Sequence, residues 1–277
     1  MNRNQALMQL IEEAHRGDFN FPTSARLAIK IKEALDDPDC HLDTAGKLIQ
    51  AEPLLAAQII SIANSVIYNA SGREITDVKT AVSRLGFKTL RTMAMAFVTR
   101  QMAGTQSTPE QKRVAADLWE HTAHVAALAR IITAKLTKKD PETALFCGLV
   151  HEIGGFYLLS RATQYPALLA PADEAADGID IVSAKNTLSL AVLRNIGVPE
   201  SVTDTIERYV ENFLTTPPAS LADALILADH VATFRSPLDN ATVEDLADDL
   251  SAADGMLGDA LKESDEEVAS LIRALRG

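Results

Sequence analysis

Three segments place ionisable residues on apolar helical stripes, and burying such groups is costly unless something pairs with them. In DLWEHTAHVAALARIITAKL the stripe runs through Leu118, Val125, Leu128, Ile132 and Leu136, and His121 falls inside it with His124 at the flank. In ETALFCGLVHEIGG, His151 continues the small residues Ala144 and Cys147, with Glu152 beside it. In SLADALILADHVATF, Asp229 extends the row of Leu221 and Leu225, and His230 is turned away from it. His121, His151, Glu152 and Asp229 together make a hard-to-borderline donor set suited to Mn, Fe, Mg or Zn, provided that three helices converge. Taken singly, each histidine reads first as a core residue satisfied by a carbonyl or carboxylate; only the constellation points to a metal.

Other chemistries find less support. His151-Glu152 begins like the zinc-protease string HExxH, but position 155 is Gly155, so the second histidine is missing. No GxSxG, GxGxxG or P-loop string occurs, which leaves serine hydrolases, dinucleotide enzymes and nucleotide triphosphatases without motif support. Cys40 and Cys147 are far apart, so reduced thiols are expected. Arg84, Lys88 and Arg91 are spaced i, i+4, i+7 and offer a possible partner-contact face, with a solvated stripe as the plainer meaning.

The elements that must position these residues read as all-α. Leu7, Leu10, Ile11 and Ala14 form an amphipathic opening helix ending near Gly17. Thr108-Pro109-Glu110-Gln111 predicts a capping box, Asp140-Pro141 a second start, and Gly154-Gly155 a stop or bend after TALFCGLVHEI. Val198-Pro199 and Pro217-Pro218 open two further helices. GTQST at 104 to 108 is the softest polar linker and is placed as a seam. The expected organisation is an N-terminal helix over 1–18, a helical half over 19–105, a second over 106–235, and an acidic helical extension over 236–277.

Charge follows that division. The formal net charge is −12; residues 1 to 105 are nearly neutral at +1, while 236 to 277 carry −8. This argues against general nucleic-acid binding, which needs a basic footprint. In the extension, Val243, Leu246 and Leu250 share one apolar face, and Ser264-Asp265-Glu266-Glu267 predicts a capping box before Val268, Leu271, Ile272 and Leu275. That extension could fold back on its own domain, bind a partner or dimerise the chain. It could also cover the Arg84, Lys88, Arg91 face. No apolar run approaches the roughly 18 residues of a membrane span, and Glu12 and Glu13 interrupt any signal-like start. A chain acting in the cytoplasm, away from membranes, is expected.

Five segments in order carry a specific likeness. Over residues 19 to 235 the chain resembles bacterial HDOD domains, relatives of the HD phosphohydrolases. The likeness lies in FPTSARLAIKIKEALDDPDC, in Glu52-Pro53 followed by LLAAQIISIANS with Asn64-Ser65, in ITDVKTAVSRLGFKTLRTMAMA, in LWEHTAHVAALAR and in GLVHEIGGFYLLS. The resemblance implies an N-terminal helical bundle followed by an HD-like helical subdomain, meeting near Gly104. In catalytic HD enzymes a histidine, a His-Asp pair and a later aspartate hold divalent metal, and these correspond to His121, His151, Glu152 and Asp229. Three positions depart from that pattern: Glu152 stands for the Asp, Gly155 for a lysine found in many active relatives, and Lys185 for a histidine. No GYP string indicates cyclic-di-GMP phosphodiesterase activity.

The resemblance therefore implies a bacterial signal-transduction protein that acts through protein contacts, with a degenerate, non-catalytic HD pocket, no cofactor and signalling proteins or a second copy as partners. One alternative is a phosphohydrolase acting on a nucleotide or phosphoester through Mn, Fe or Mg held by the four residues. Another is a nucleotide sensor without turnover.

Overall fold

The computed structural model describes residues 1–169, 179–215, 217–239 and 257–276. Helices account for the ordered elements, and no strand occurs among the described residues. The order is α1 (Arg3–His15), α2 (Thr23–Asp36), α3 (Leu42–Gln50), α4 (Pro53–Ala63), α5 (Val78–Met102), α6 (Pro109–Leu136), α7 (Pro141–Val150), α8 (Ile153–Arg161), a short 3-10 turn (Pro166–Leu169), α9 (Ile181–Asn195), α10 (Glu200–Val210), α11 (Leu221–Val231) and α12 (Asp265–Arg276).

Local chemistry starts these helices where the side chains allow. Thr108 Oγ1 accepts the Gln111 amide at 3.1 Å and the Gln111 side chain accepts the Thr108 amide at 3.2 Å, the reciprocal box expected from Thr-Pro-Glu-Gln. Asp140 accepts the Thr143 amide at 2.8 Å, and Ser220 forms a similar box with Asp223. At Ser264 the expected box does not form. The chain enters α12 from a preceding helical turn, with the Ser264 amide bonded to the Leu261 carbonyl, and the buried Ser264 hydroxyl has no partner. Val243, Leu246 and Leu250 lie outside the described residues.

Two glycine readings change. Gly154 and Gly155 do not end a helix; α7 ends at Val150, and both glycines lie within α8, after a break at His151-Glu152. Their reason is proximity: a Cβ on Gly154 would lie 2.2 Å from the Lys185 carbonyl oxygen and 2.6 Å from the Ser189 amide, so α8 can approach α9 only without one. Inside α5, Gly86 adopts φ 70° and ψ 168°, a conformation open essentially to glycine. The kink falls between Arg84 and Lys88, inside the row of three cations.

The first half packs α2, α3 and α4 around α5; the second packs α7 and α11 on α6, and α9 on α8. α5 also touches α7 and α8, and one continuous buried cluster draws on residues from Ala6 to Leu275. Polar ties cross between the halves as well. Buried Lys32 of α2 donates to the Ile196 and Gly197 carbonyls at 3.0 and 3.1 Å, where α9 ends. α7 and α8 together, Pro141–Arg161, make a stretch long and apolar enough to cross a membrane, contrary to the expectation of no such run, but it is mostly buried within the protein. This apolar stretch is a core pair of helices broken at the site.

Candidate functional site

The break between α7 and α8 sets the site, because it turns His151 and Glu152 inward from a chain that would otherwise continue as one helix. His121 comes from the middle of α6, Asp229 from the last turn of α11 and Lys185 from the first turns of α9. His121, His151, Glu152 and Lys185 are all buried. The three segments singled out in the sequence do converge.

The imidazoles are oriented by the backbone. His121 Nδ1 lies 2.9 Å from the Phe234 carbonyl and His151 Nδ1 lies 2.7 Å from the Gly148 carbonyl. A carbonyl can only accept, so each Nδ1 carries a proton. The two Nε2 atoms face each other at 3.2 Å, and in a neutral ring whose Nδ1 carries the proton Nε2 presents a lone pair. Burial lowers the His151 pKa to about 4, against the pull of Glu152, so that ring is neutral at pH 7. Asp229 Oδ1 lies 3.5 Å and Glu152 Oε1 3.8 Å from His121 Nε2. Two carboxylates and the His151 ring thus converge on His121 Nε2.

One cation is built in. Lys185 Nζ donates to Glu152 Oε1 at 2.6 Å and to Asp239 Oδ1 at 2.5 Å. Burial alone would raise the Glu152 carboxyl; the Lys185 ammonium outweighs it and holds the group well below the usual range. Burial would lower Lys185, but its two carboxylates keep it charged. Asp239 is raised, by burial first and by the Glu152 and Asp229 charges, in spite of Lys185. Tyr209 donates to Asp229 Oδ2 at 2.8 Å, and burial followed by that carboxylate pushes its hydroxyl pKa far up. Ser189 donates to the His151 carbonyl at 3.1 Å and accepts the Gly154 amide at 3.0 Å, fixing the turn between α7 and α8.

Glu152, Gly155 and Lys185 pack against one another. The longer Glu152 side chain lies over Gly155, where a Cβ would come within 2.9 Å of Oε2, and it reaches Lys185 across from α9. Glu152 Oε2 itself is buried without a hydrogen-bond partner.

The donors fit one divalent cation. His121, His151 and Glu152 each offer an atom within 4.8 Å of the others, and a metal there would give the orphaned Glu152 oxygen a partner. His121, His151 and Glu152 would hold it, with Asp229, expected as a fourth ligand, outside that cluster and bonded to Tyr209, and the metal would supply a Lewis acid and an acidified water. A second cation on the Glu152 side would meet the fixed Lys185 charge.

Arg84, Lys88 and Arg91 are each engaged within the chain. Arg84 donates to the Tyr68 carbonyl and Asn69, Lys88 pairs with Asp140, and Arg91 donates to the Leu35 carbonyl and lies 3.3 Å from Asp36. Their sequence spacing gave no hint of these partners. Asp239 and Tyr209 were not singled out in the sequence, although Tyr209 continues the row of Val202 and Ile206 in α10, a polar-tipped residue on an apolar face.

Residues 21–209 match the HDOD domain family model. The fold is similar to a "putative metal-dependent phosphohydrolase" from Shewanella amazonensis SB2B, at 21% identity and a TM-score of 0.72, covering 99% of each chain. It is similar also to an HDOD domain protein of unknown function from Geobacter sulfurreducens, at 19% identity and a TM-score of 0.62, over 98% of this chain and 97% of that one. A "putative signal transduction protein" from Marinobacter aquaeolei VT8 aligns at 19% identity and a TM-score of 0.57, over 93% of this chain and 60% of its own. No curated protein matches the sequence.

Proposed function

The chain belongs to the HDOD domain family, and we propose that it is a cytoplasmic regulatory protein that signals through protein contacts, its HD pocket serving as a structural junction without turnover. The observation that carries this reading is Lys185. Its buried ammonium binds Glu152, the residue at the position of the HD aspartate, and so removes one carboxylate oxygen from metal or substrate duty. The pocket then joins α6, α7, α8, α9 and α11 through polar contacts that fix their register.

A second reading is favoured by the paired Nε2 atoms and the orphaned Glu152 oxygen, which fit a single metal and with it a phosphohydrolase. One experiment separates the two. Chelator-free protein is equilibrated with Mn, Fe, Zn or Mg, analysed for metal, and assayed on phosphomonoester, phosphodiester and nucleotide substrates. The regulatory reading expects no turnover in any metal form. Turnover that requires metal and disappears in His151→Ala overturns it.

A further inference from the structure

We propose that the groove between α4 and α6 is a docking site for an amphipathic helix of a partner protein, and that α12 is its displaceable internal occupant; this deepens the regulatory reading and rests on it. α12 lies beyond the matched residues 21–209. It packs on α4 from the first half and on α6 from the second, seating Leu271, Ile272 and Leu275 in the core. With Glu263 facing Lys135 at one end and Arg276 bound to Glu120 at the other, it runs antiparallel to α6.

The walls of the groove recognise a helix terminus. Buried Gln58 donates to the Leu275 carbonyl at 3.2 Å and Arg100 to the Arg276 carbonyl at 3.1 Å, two of the last-turn carbonyls that a helix leaves without internal partners. The Val66 amide donates to Ser270 Oγ at 3.0 Å. Glu120 receives the Arg276 guanidinium, which also reaches His124 Nε2 at 3.4 Å. The partner this fits has aliphatic residues at the spacing of Leu271, Ile272 and Leu275, a small hydroxyl residue one position earlier and a basic final turn.

Two features make the occupant exchangeable. A helix of 12 residues has little stability away from its groove. Its ion pairs are weak ones, since the Arg276 side chain is 45% exposed and Glu263 72%. Release would also be felt at the HD pocket. Glu120 and His124 flank His121 on α6, and His124 packs edge-on against Phe234, whose carbonyl holds His121 Nδ1. Arg100 lies 5.3 Å over the ring of Trp119, the single tryptophan, so removing its Arg276 partner should alter emission.

The test uses the full chain, the double variant Leu271→Ser/Leu275→Ser, and a fluorescein-labelled peptide of residues 257–277 read by anisotropy. The folded variant should bind the peptide at least tenfold more tightly than wild type, whose own α12 competes, and a peptide with the same two serines should not bind. The variant's Trp119 emission should shift and return on adding unlabelled peptide. A folded variant that ignores the peptide, or equal binding by both chains, overturns the proposal. Hydrogen exchange on wild type guards against a misfolded variant: α12 amides should exchange at least tenfold faster than those in the middle of α6, and equal protection overturns displacement. Wild-type dimers that exchange α12 would give the groove to a second copy and likewise overturn it. Turnover in the metal assay would sink the pocket reading and leave these outcomes untouched, so the two failures are distinguishable.

Discussion

Replacing Lys185 with methionine keeps the length and apolar stem of the side chain and removes only its charge, leaving Glu152 in the core without its ammonium. The Lys185 side chain is 4% exposed and Glu152 0%, whereas Asp239 is 23% exposed. Breaking a buried pair by removing one partner costs about 3–5 kcal/mol. Hydration of Asp239 and proton uptake by Glu152 put the expected loss at the lower end, about 3 kcal/mol, or roughly 6–12 °C in Tm at 2–4 °C per kcal/mol.

The pH dependence has a definite sign. In the wild type the Glu152 pKa is depressed, so its contribution is present above the unfolded value of about 4.3 and is lost as pH falls through the folded value. In Lys185→Met the largest opposing charge is gone, and burial is expected to raise the Glu152 pKa above its unfolded value. Glu152 then contributes fully below the unfolded value and loses that contribution as pH rises through the raised one. The deficit relative to wild type should therefore be greatest at pH 7 to 8 and shrink toward pH 5. Urea unfolding followed by circular dichroism at four pH values between 5 and 8 measures it. Adding Glu152→Gln should recover at least half of the loss, because a neutral amide no longer needs the ammonium. A loss under about 1 kcal/mol at pH 8, or one that widens as pH falls, would refute the argument that Lys185 is the cation of this pocket.

Gly86→Ala should cost about 1–3 kcal/mol in urea melts from backbone strain alone, since a Cβ there meets nothing within 4 Å; a neutral result would mean that α5 is not kinked. Tyr68→Phe removes the hydroxyl that donates to both Glu142 oxygens at 2.7 and 2.8 Å, next to the Arg130 pair, and should lose about 1.5–3 kcal/mol. Thiol titration of the native protein should find Cys40 reactive and Cys147 silent until denaturation, because Cys147 is fully buried and burial pushes its pKa up to about 12.

Much of the secondary structure was legible because its causes are local. The Thr108 box, the Asp140 cap and the i, i+3, i+4 stripes involve residues within one or two turns, and each appears as expected. Ser264 fails by the same logic: the cap needs an extended residue before the helix, and the turn from Leu261 onward supplies a helical one. The i, i+4, i+7 spacing of Arg84, Lys88 and Arg91 assumed an unbroken helix, and Gly86 interrupts that period between the first and the other two.

His121, His151, Glu152 and Asp229 could be named from the chain because each is an ionisable group on an apolar row, an anomaly visible without coordinates. Their chemistry could not be read there. Lys185 bonds Glu152 from 33 positions away and Asp239 from 54, and the proton positions on the imidazoles depend on the carbonyls of Phe234 and Gly148. Helical period and capping are encoded by neighbours along the chain, so composition and spacing were enough to specify them. Which charge meets which acceptor depends on how closely α8 approaches α9, and that approach exists only when the packed core brings Gly154 against Lys185 and Ser189.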